Sequence, residues 1–321
     1  MPVYNVEISH PDKKYRIEPV EDKIITLEGT NASLPYGSSS GEWGYSGKTF
    51  TEQYGTPIGA DIVYFSTAED TFYHLKANFP VELMKDMAQR AYADDDDEEN
   101  FKGKEYITLD DKEEFDGYYE MSDLVFGFAP KGIVVVWIRY GVQQIEIGQY
   151  QAEVVKDDKQ YEEKLFKTWS MNRQEVKEAQ FIPDASPELW LNYRKKYSWQ
   201  PIATSPNKDF RFLGVINRYY NGEREMMFQP WLSGNNMRER AVPRELTFYF
   251  TTAKNEQYEG RVFFDFDQMS GAFKKAGPNA KMEFKVAPDN SDYEIFLNGE
   301  PLEVKSKRLF KNDMIFKDSY K

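Results

Sequence analysis

Cysteine is absent from the 321 residues of the chain. That absence removes disulfides, thiolate metal sites, a cysteine nucleophile and a lipid-modified N-terminal cysteine. Long apolar runs are missing too. Nothing approaches the roughly 20 residues needed to span a bilayer, and "GIVVVWI" is only strand length. The start, "MPVYNVEISHPDKKYRIEP", lacks the basic start and apolar stretch of a signal peptide. As written, the chain is expected to be soluble and cytoplasmic. A mature chain whose leader had been removed would read the same and would be periplasmic or lipid-anchored.

Positive charge is in short supply. Lys and Arg number 41 against 54 Asp and Glu, giving a formal net charge of −13. Such a surface repels phosphate backbones and anionic lipid, so neither nucleic acid nor a membrane surface is an expected partner. A basic protein would be attracted, although acidity alone also serves solubility. What is plentiful is aromatic: the fraction is 16%, within a hydrophobic fraction of 40%. That composition belongs to a folded, strand-leaning chain.

The motifs of common enzymes are lacking. Gly47-Lys48-Thr49 in "SSGEWGYSGKTF" resembles the end of a phosphate-binding loop, but the glycine required five residues earlier is Glu42. A carboxylate there would repel the phosphate. There is no H-E-x-x-H or G-x-G-x-x-G. The two histidines, His10 and His74, share no evident role.

The chain contains itself twice. Residues 61–91, "DIVYFSTAEDTFYHLKANFPVELMKDMAQRA", align without gaps on 246–276, "LTFYFTTAKNEQYEGRVFFDFDQMSGAFKKA". Tyr64/Tyr249, Phe65/Phe250, Thr67/Thr252, Tyr73/Tyr258, Phe79/Phe264 and Met84/Met269 are among the identities. A second block sets "FGFAPKGIVVVWIRYG" from Phe126 against "FKVAPDNSDYEIFLNG" from Phe284. Upstream, Trp43 with Ser46-Gly47 meets Trp231 with Ser233-Gly234, where Asn235-Asn236 replace Lys-Thr. A feature kept without its lysine is a turn, not a phosphate loop.

Each copy reads as hairpin, helix and meander. Alternating aromatic runs turn at "TAEDT". Pro80 suits the first turn of a helix whose stripe is Met84, Met87, Ala88 and Ala91. In the second copy Asp265 with Gln268 resembles a capping box, and Gly277-Pro278 stops the helix. Those methionines read as core. Asn298-Gly299 is a favoured two-residue hairpin turn. The expected fold is α+β: two β-β-α-β-β-β units with mainly antiparallel sheets and no parallel crossovers, joined by a helical linker. The expected boundaries are 1–155 for the first repeat, 156–197 for the linker and 198–321 for the second repeat. In the linker, Ser186-Pro187 starts a helix with Trp190, Tyr193 and Tyr197 on one face.

The copies differ most at an insertion of about residues 94–120 in the first. It opens with Asp94, Asp95, Asp96, Asp97, Glu98 and Glu99. A calcium loop starting at Asp94 would need glycine at its sixth position, where Glu99 stands. The run reads first as a solvated loop. Its place in an insertion favours a second reading, a docking surface for a basic partner. No metal or cofactor is expected. Carboxylates are numerous enough for an acid–base pair, yet no spacing singles one out. Trp43, Trp137, Trp190 and Trp231 could line a sugar or peptide groove, against a simpler role in the core.

From Leu124, "LVFGFAPKGIVVVWIRYGVQQIEIGQYQAEV" resembles the bacterial family known as domain of unknown function 2931. "IVYFSTAEDTFYHLKANFP", "LWLNYRKKYSWQP" and "YYNGE" fit the same pattern, so the resemblance runs from about Ile62 to Ala276. It brings no catalytic residues. It implies that many members are lipoproteins and that some are encoded beside type VI secretion or other antibacterial toxin genes, which suggests immunity proteins. This chain departs from the lipoprotein members in lacking leader and cysteine. The leading expectation is a non-enzymatic binding protein, an immunity protein that occludes a toxin. The alternatives are a hydrolase built on carboxylates or His74, and an aromatic-lined glycan or ligand binder.

Overall fold

A computed structural model describes residues 1–36, 42–45, 49–93, 104–114, 117–229, 231–234, 236–252 and 256–312. The chain divides into two compact units, Met1–Arg90 with Glu120–Asn192, and Ala91–Tyr119 with Tyr193–Lys321. Most of it is β-sheet, and the sheets are mainly antiparallel.

The first unit begins with β1 (Val3–Ser9), β2 (Ile17–Thr26), β3 (Thr49–Tyr54), β4 (Pro57–Ser66) and β5 (Thr71–Asn78), followed by helix α1 (Val81–Ala88). Residues 91–119 belong to the second unit. They carry β6 (Arg90–Ala93), β7 (Tyr106–Thr108) and β8 (Tyr118–Glu120), a small sheet in the order β7-β6-β8. The first unit resumes with β9 (Asp123–Ala129), β10 (Ile133–Tyr140), β11 (Gln143–Gln151) and β12 (Glu153–Val154). Helices α2 (Lys159–Phe166), α3 (Arg173–Gln180) and α4 (Glu188–Tyr193) come next.

Within this unit β4 and β5 form the expected hairpin, with Tyr64 opposite Tyr73, between β2 and β12. β9, β10 and β11 form the expected meander. One expectation fails here: β1 pairs with β9 in parallel, Val6 beside Leu124 and Ile8 beside Phe126. The alternation of "VYNVEIS" sets which side chains turn inward, but it carries no information on which distant strand will be the neighbour.

The two sheets meet through their aromatic faces. The Tyr64 and Phe128 rings lie 4.7 Å apart, and Phe79 packs on Phe126 at 6.3 Å. Met84 and Met87 of α1 are buried, as their spacing predicts. Pro80 stands at the N-cap, one position before the first helical residue. The other face of the hairpin sheet is covered by α2 and α3, whose Leu165 and Val176 join Val20, Val63, Phe65 and Phe72 in one cluster. Arg173 fastens that cover: it reaches Asp70 at 2.6 Å, Glu162 at 2.8 Å and Asp158 at 2.9 Å.

The second unit continues with β13 (Lys196–Thr204), β14 (Arg211–Tyr219), β15 (Arg224–Phe228), β16 (Arg238–Ala241), β17 (Pro243–Thr251) and β18 (Gln257–Phe263). Helix α5 (Phe266–Ala276) and strands β19 (Ala280–Val286), β20 (Tyr293–Leu297), β21 (Glu300–Pro301) and β22 (Ser306–Asn312) complete it. One set of neighbours runs β22-β18-β17-β14-β15 and the other β16-β13-β19-β20-β21. Here too one pair is parallel, β13 with β19. Phe248 ties the sheets together, 4.8 Å from Phe284 and 4.9 Å from Tyr293.

Local signals in this half hold closely. The Asp265 carboxylate accepts from the Gln268 N–H and caps α5. Asn298 and Gly299 both have positive φ, 51° and 84°, as a tight hairpin turn requires. Tyr197 is a correction. It lies in β13 opposite Arg240, not on the helix of Trp190 and Tyr193, because α4 ends at Tyr193 and the alternation of "KYSW" takes over.

Candidate functional site

The acidic run Asp94–Glu99 lies outside the described residues, as do Gly47 and Lys48. Residues 104–114 and 117–120 make defined contacts. In β7, Ile107 is buried while Tyr106 and Thr108 face outward, the alternation of a half-buried strand. The Tyr106 ring packs 5.4 Å from Tyr92 of β6. Thr108 Oγ1 donates to Asp111 at 2.8 Å, and the Tyr118 hydroxyl donates to the Lys104 carbonyl at 3.0 Å. Asp110, Asp111 and Tyr119 are exposed.

Glu105 anchors this limb. Both its oxygens accept from Arg238, each at 2.7 Å, in a two-pronged pair that only the planar guanidinium can make. Arg238 passes the contact inward to Glu225 at 3.2 Å. Glu225 also receives Arg240 at 2.5 and 3.0 Å and the Tyr219 hydroxyl at 2.6 Å. Arg240, 3% exposed, also donates to the carbonyls of Trp199 and Asn236, at 2.6 and 2.8 Å, and to the Met227 sulfur at 3.3 Å. Strand alternation explains the gathering. Glu225 stands opposite Asn217, and Arg238 and Arg240 lie two apart on β16.

Burial pushes the Glu225 carboxyl up, but the adjacent Arg240 guanidinium more than offsets it and holds the group below the usual range. Burial, then the Glu225 charge, raises the Tyr219 hydroxyl well above its ordinary value. Two arginines balance two carboxylates, and both carboxylate oxygens of Glu225 are already engaged. Such a group is a poor general base. Chemically the cluster is an anchor, locking the segment that carries Glu105 to β15 and β16.

The first unit holds a second polar cluster. On β10, Arg139 reaches Glu7 of β1 at 2.6 Å, Gln144 of β11 at 2.7 Å and Asp123 of β9 at 3.6 Å. Another of its prongs and the Gln144 amide converge on the carbonyl of Gly44, at 3.1 and 2.9 Å. Next to it three tryptophans pack together. Trp43 meets Trp137 edge-on at 5.2 Å, and Trp190 at 6.5 Å. Gly127 makes the room: a Cβ there would lie 2.5 Å from the Trp137 indole and 2.8 Å from Trp43. These three tryptophans are therefore interior packing, and Trp231 is half-buried.

His74 sits mid-strand, its Nε2 2.6 Å from Asp61, with Val63 and Glu153 as cross-strand neighbours. His10 is buried in the segment after β1. Among the described residues, no group of three or more His, Cys, Asp or Glu could hold a metal ion, and no helix is long and apolar enough to cross a membrane. Neither motif nor spacing singles out Arg139, Glu225 or Arg240. A usable signal exists nonetheless, namely a charge at an inward strand position, as in "VVVWIRY" and "REMMF".

Comparison with known proteins adds a family and little else. No curated protein matches. Among solved structures, the open conformation of the pilus adhesin SpaC from Lactobacillus rhamnosus GG aligns at 8% identity over 94% of this chain and 28% of that one. Its TM-score of 0.15 carries no argument about fold or function. The family model described as "Protein of unknown function (DUF2931)" matches residues 4–188, more than half of the chain and including Trp43, Gly127, Trp137 and Arg139. The chain belongs to the DUF2931 family.

Proposed function

We propose that this protein is a non-enzymatic binding protein, and that it neutralises a basic protein toxin as an immunity protein by presenting its acidic insertion. The observation carrying this reading is the Glu105–Arg238 anchor. An insertion that were only a solvated loop would need no such attachment, whereas a docking element gains from a fixed base, because less freedom is lost on binding. Exposed Tyr106 and Tyr119, at 42% and 40%, beside Asp110 and Asp111 supply the aromatic and acidic chemistry that suits a cationic partner.

The duplication belongs to the same reading. β1 in the first unit and β13 in the second each pair in parallel with a strand that comes after the helix, and the strand before that helix closes an antiparallel hairpin. Helices α1 and α5 begin at Val81 and Phe266, which are aligned positions of the ungapped repeat. We take the two as copies of one architecture, the first copy having gained the insertion.

The test is affinity capture from the source bacterium with two baits, the full chain and a chain lacking residues 94–103. One stoichiometric basic partner, lost with the deletion, is the expected result. A partner retained equally by both baits would remove the insertion from the interface. A second reading, hydrolysis through His74, is favoured by the Asp61 contact. It predicts esterase or amidase turnover abolished by His74→Ala, and unchanged turnover in that variant ends it.

A further inference from the structure

The four residues Glu42, Trp43, Gly44 and Tyr45 close on themselves. The Glu42 N–H donates to the Tyr45 carbonyl at 2.7 Å, and the Tyr45 N–H to the Glu42 carbonyl at 2.8 Å. The sheet beneath grips the backbone of this turn. Ser9 Oγ accepts from the Gly44 N–H at 2.8 Å and donates to the Glu42 carbonyl at 3.2 Å, while Arg139 and Gln144 hold the Gly44 carbonyl. Gly44 has φ of 81°, a conformation suited to glycine. The Trp43 indole fills the slot that Gly127 leaves open.

This is the way a receptor reads a peptide: polar side chains on the ligand backbone, and one large aromatic anchor in a fitted slot. The receptor side has partners besides the turn. Arg139 keeps Glu7, Gln144 and Asp123 as partners, and those side chains stand on four paired strands. To the turn's backbone it gives one prong, alongside the amide of Gln144.

We propose that this surface of the first unit is a recognition site for a tryptophan–glycine turn, occupied in the free protein by the chain's own Glu42–Tyr45 as a tethered pseudo-ligand. The class of ligand is a protein segment with Trp–Gly at the tip of a tight turn. A tethered occupant competes at an effective concentration in the millimolar range, so the site is self-inhibited. Opening it requires a partner that binds more tightly than the tether. The proposal is independent of the insertion and of the proposed function.

The test uses the full chain and a synthetic probe, the blocked hexapeptide Gly-Glu-Trp-Gly-Tyr-Ser. Trp43→Leu removes the indole while keeping an apolar side chain. By titration calorimetry this variant is expected to bind the probe one to one and at least tenfold more tightly than the wild type does. Adding Gln144→Ala should weaken that binding, and a probe with alanine for tryptophan should not bind. A folded Trp43→Leu protein that ignores the probe, or equal binding to both proteins, overturns the proposal. If Trp43→Leu fails to fold, hydrogen exchange on the wild type decides. The Gly44 amide should exchange through an opening that leaves the β10 amides protected. Exchange of Gly44 only on global unfolding overturns the proposal.

Discussion

Arg240 and Glu225 face each other in the interior of the second unit, joined by two hydrogen bonds of 2.5 and 3.0 Å. Neither charge could be there alone. A buried pair of this kind contributes little net stability against an apolar replacement, but removing one partner strands the other. Arg240→Ala should therefore cost about 3–5 kcal/mol in urea unfolding. Replacing both partners with apolar residues of similar volume should cost less than that single change. An Arg240→Ala protein of wild-type stability would contradict the assignment.

Acid should act through the same pair. The folded Glu225 carboxyl titrates below its ordinary value of 4.5, so its stabilising contribution is fully present above that pH and is lost as pH falls through the folded value. Glu225→Gln has no such proton to gain. The stability gap between wild type and Glu225→Gln should be widest near neutral pH and should narrow as pH drops below about 4.5. A gap that widens on acidification would have the wrong sign.

Gly127 has no room for a methyl group, with both indoles closer than any real Cβ contact allows. Gly127→Ala should destabilise the first unit by about 1–3 kcal/mol, the usual cost of overpacking. Thermal unfolding checks the size, and tryptophan fluorescence should report the displaced indoles. Trp43→Leu should relieve part of the loss in the double variant. Full additivity of the two changes would mean that Gly127 and Trp43 do not share the slot.

Arg173 joins three carboxylates with one guanidinium and lies over the rings of Phe65 and Phe72, at 5.7 and 5.4 Å. Arg173→Ala should loosen α2 and α3 from the hairpin sheet, costing about 1.5–3 kcal/mol and exposing residues 156–185 to limited proteolysis. Arg173→Lys should recover only part of this, since a single ammonium cannot reach three partners in a plane. An unchanged cleavage pattern in Arg173→Ala would show that the apolar cluster alone holds the helices.

Much of the local structure is legible in the chain. The Tyr64–Tyr73 hairpin, the methionine stripe of α1, the Asp265 cap and the Asn298-Gly299 turn all come from spacing and residue type. These signals act within a few residues, where sterics and hydrogen bonding leave few choices. The neighbours β1 and β9 are a different matter, because more than a hundred residues separate Val6 from Leu124 and alternation names no partner. Tyr197 departs from its expected helix for a related reason: its spacing from Trp190 and Tyr193 fits a helix, but pairing with β16 and β19 decides the strand. The polar clusters are hidden because Arg139 and Arg240 look like surface residues until the strands around them are known. The tryptophans show the reverse, their candidate groove proving to be a filled slot.

If the acidic insertion recognises a basic protein, charge should govern the affinity. The decisive measurement is the affinity of the captured partner for the wild type and for a chain with Asp94 to Asp97 changed to asparagine and Glu98 and Glu99 to glutamine. It should be made at low and at high ionic strength. Binding to the neutralised chain is expected to be weaker by at least tenfold at low salt, with a smaller difference at high salt as screening removes the attraction. Equal affinities at both ionic strengths would contradict recognition through the insertion.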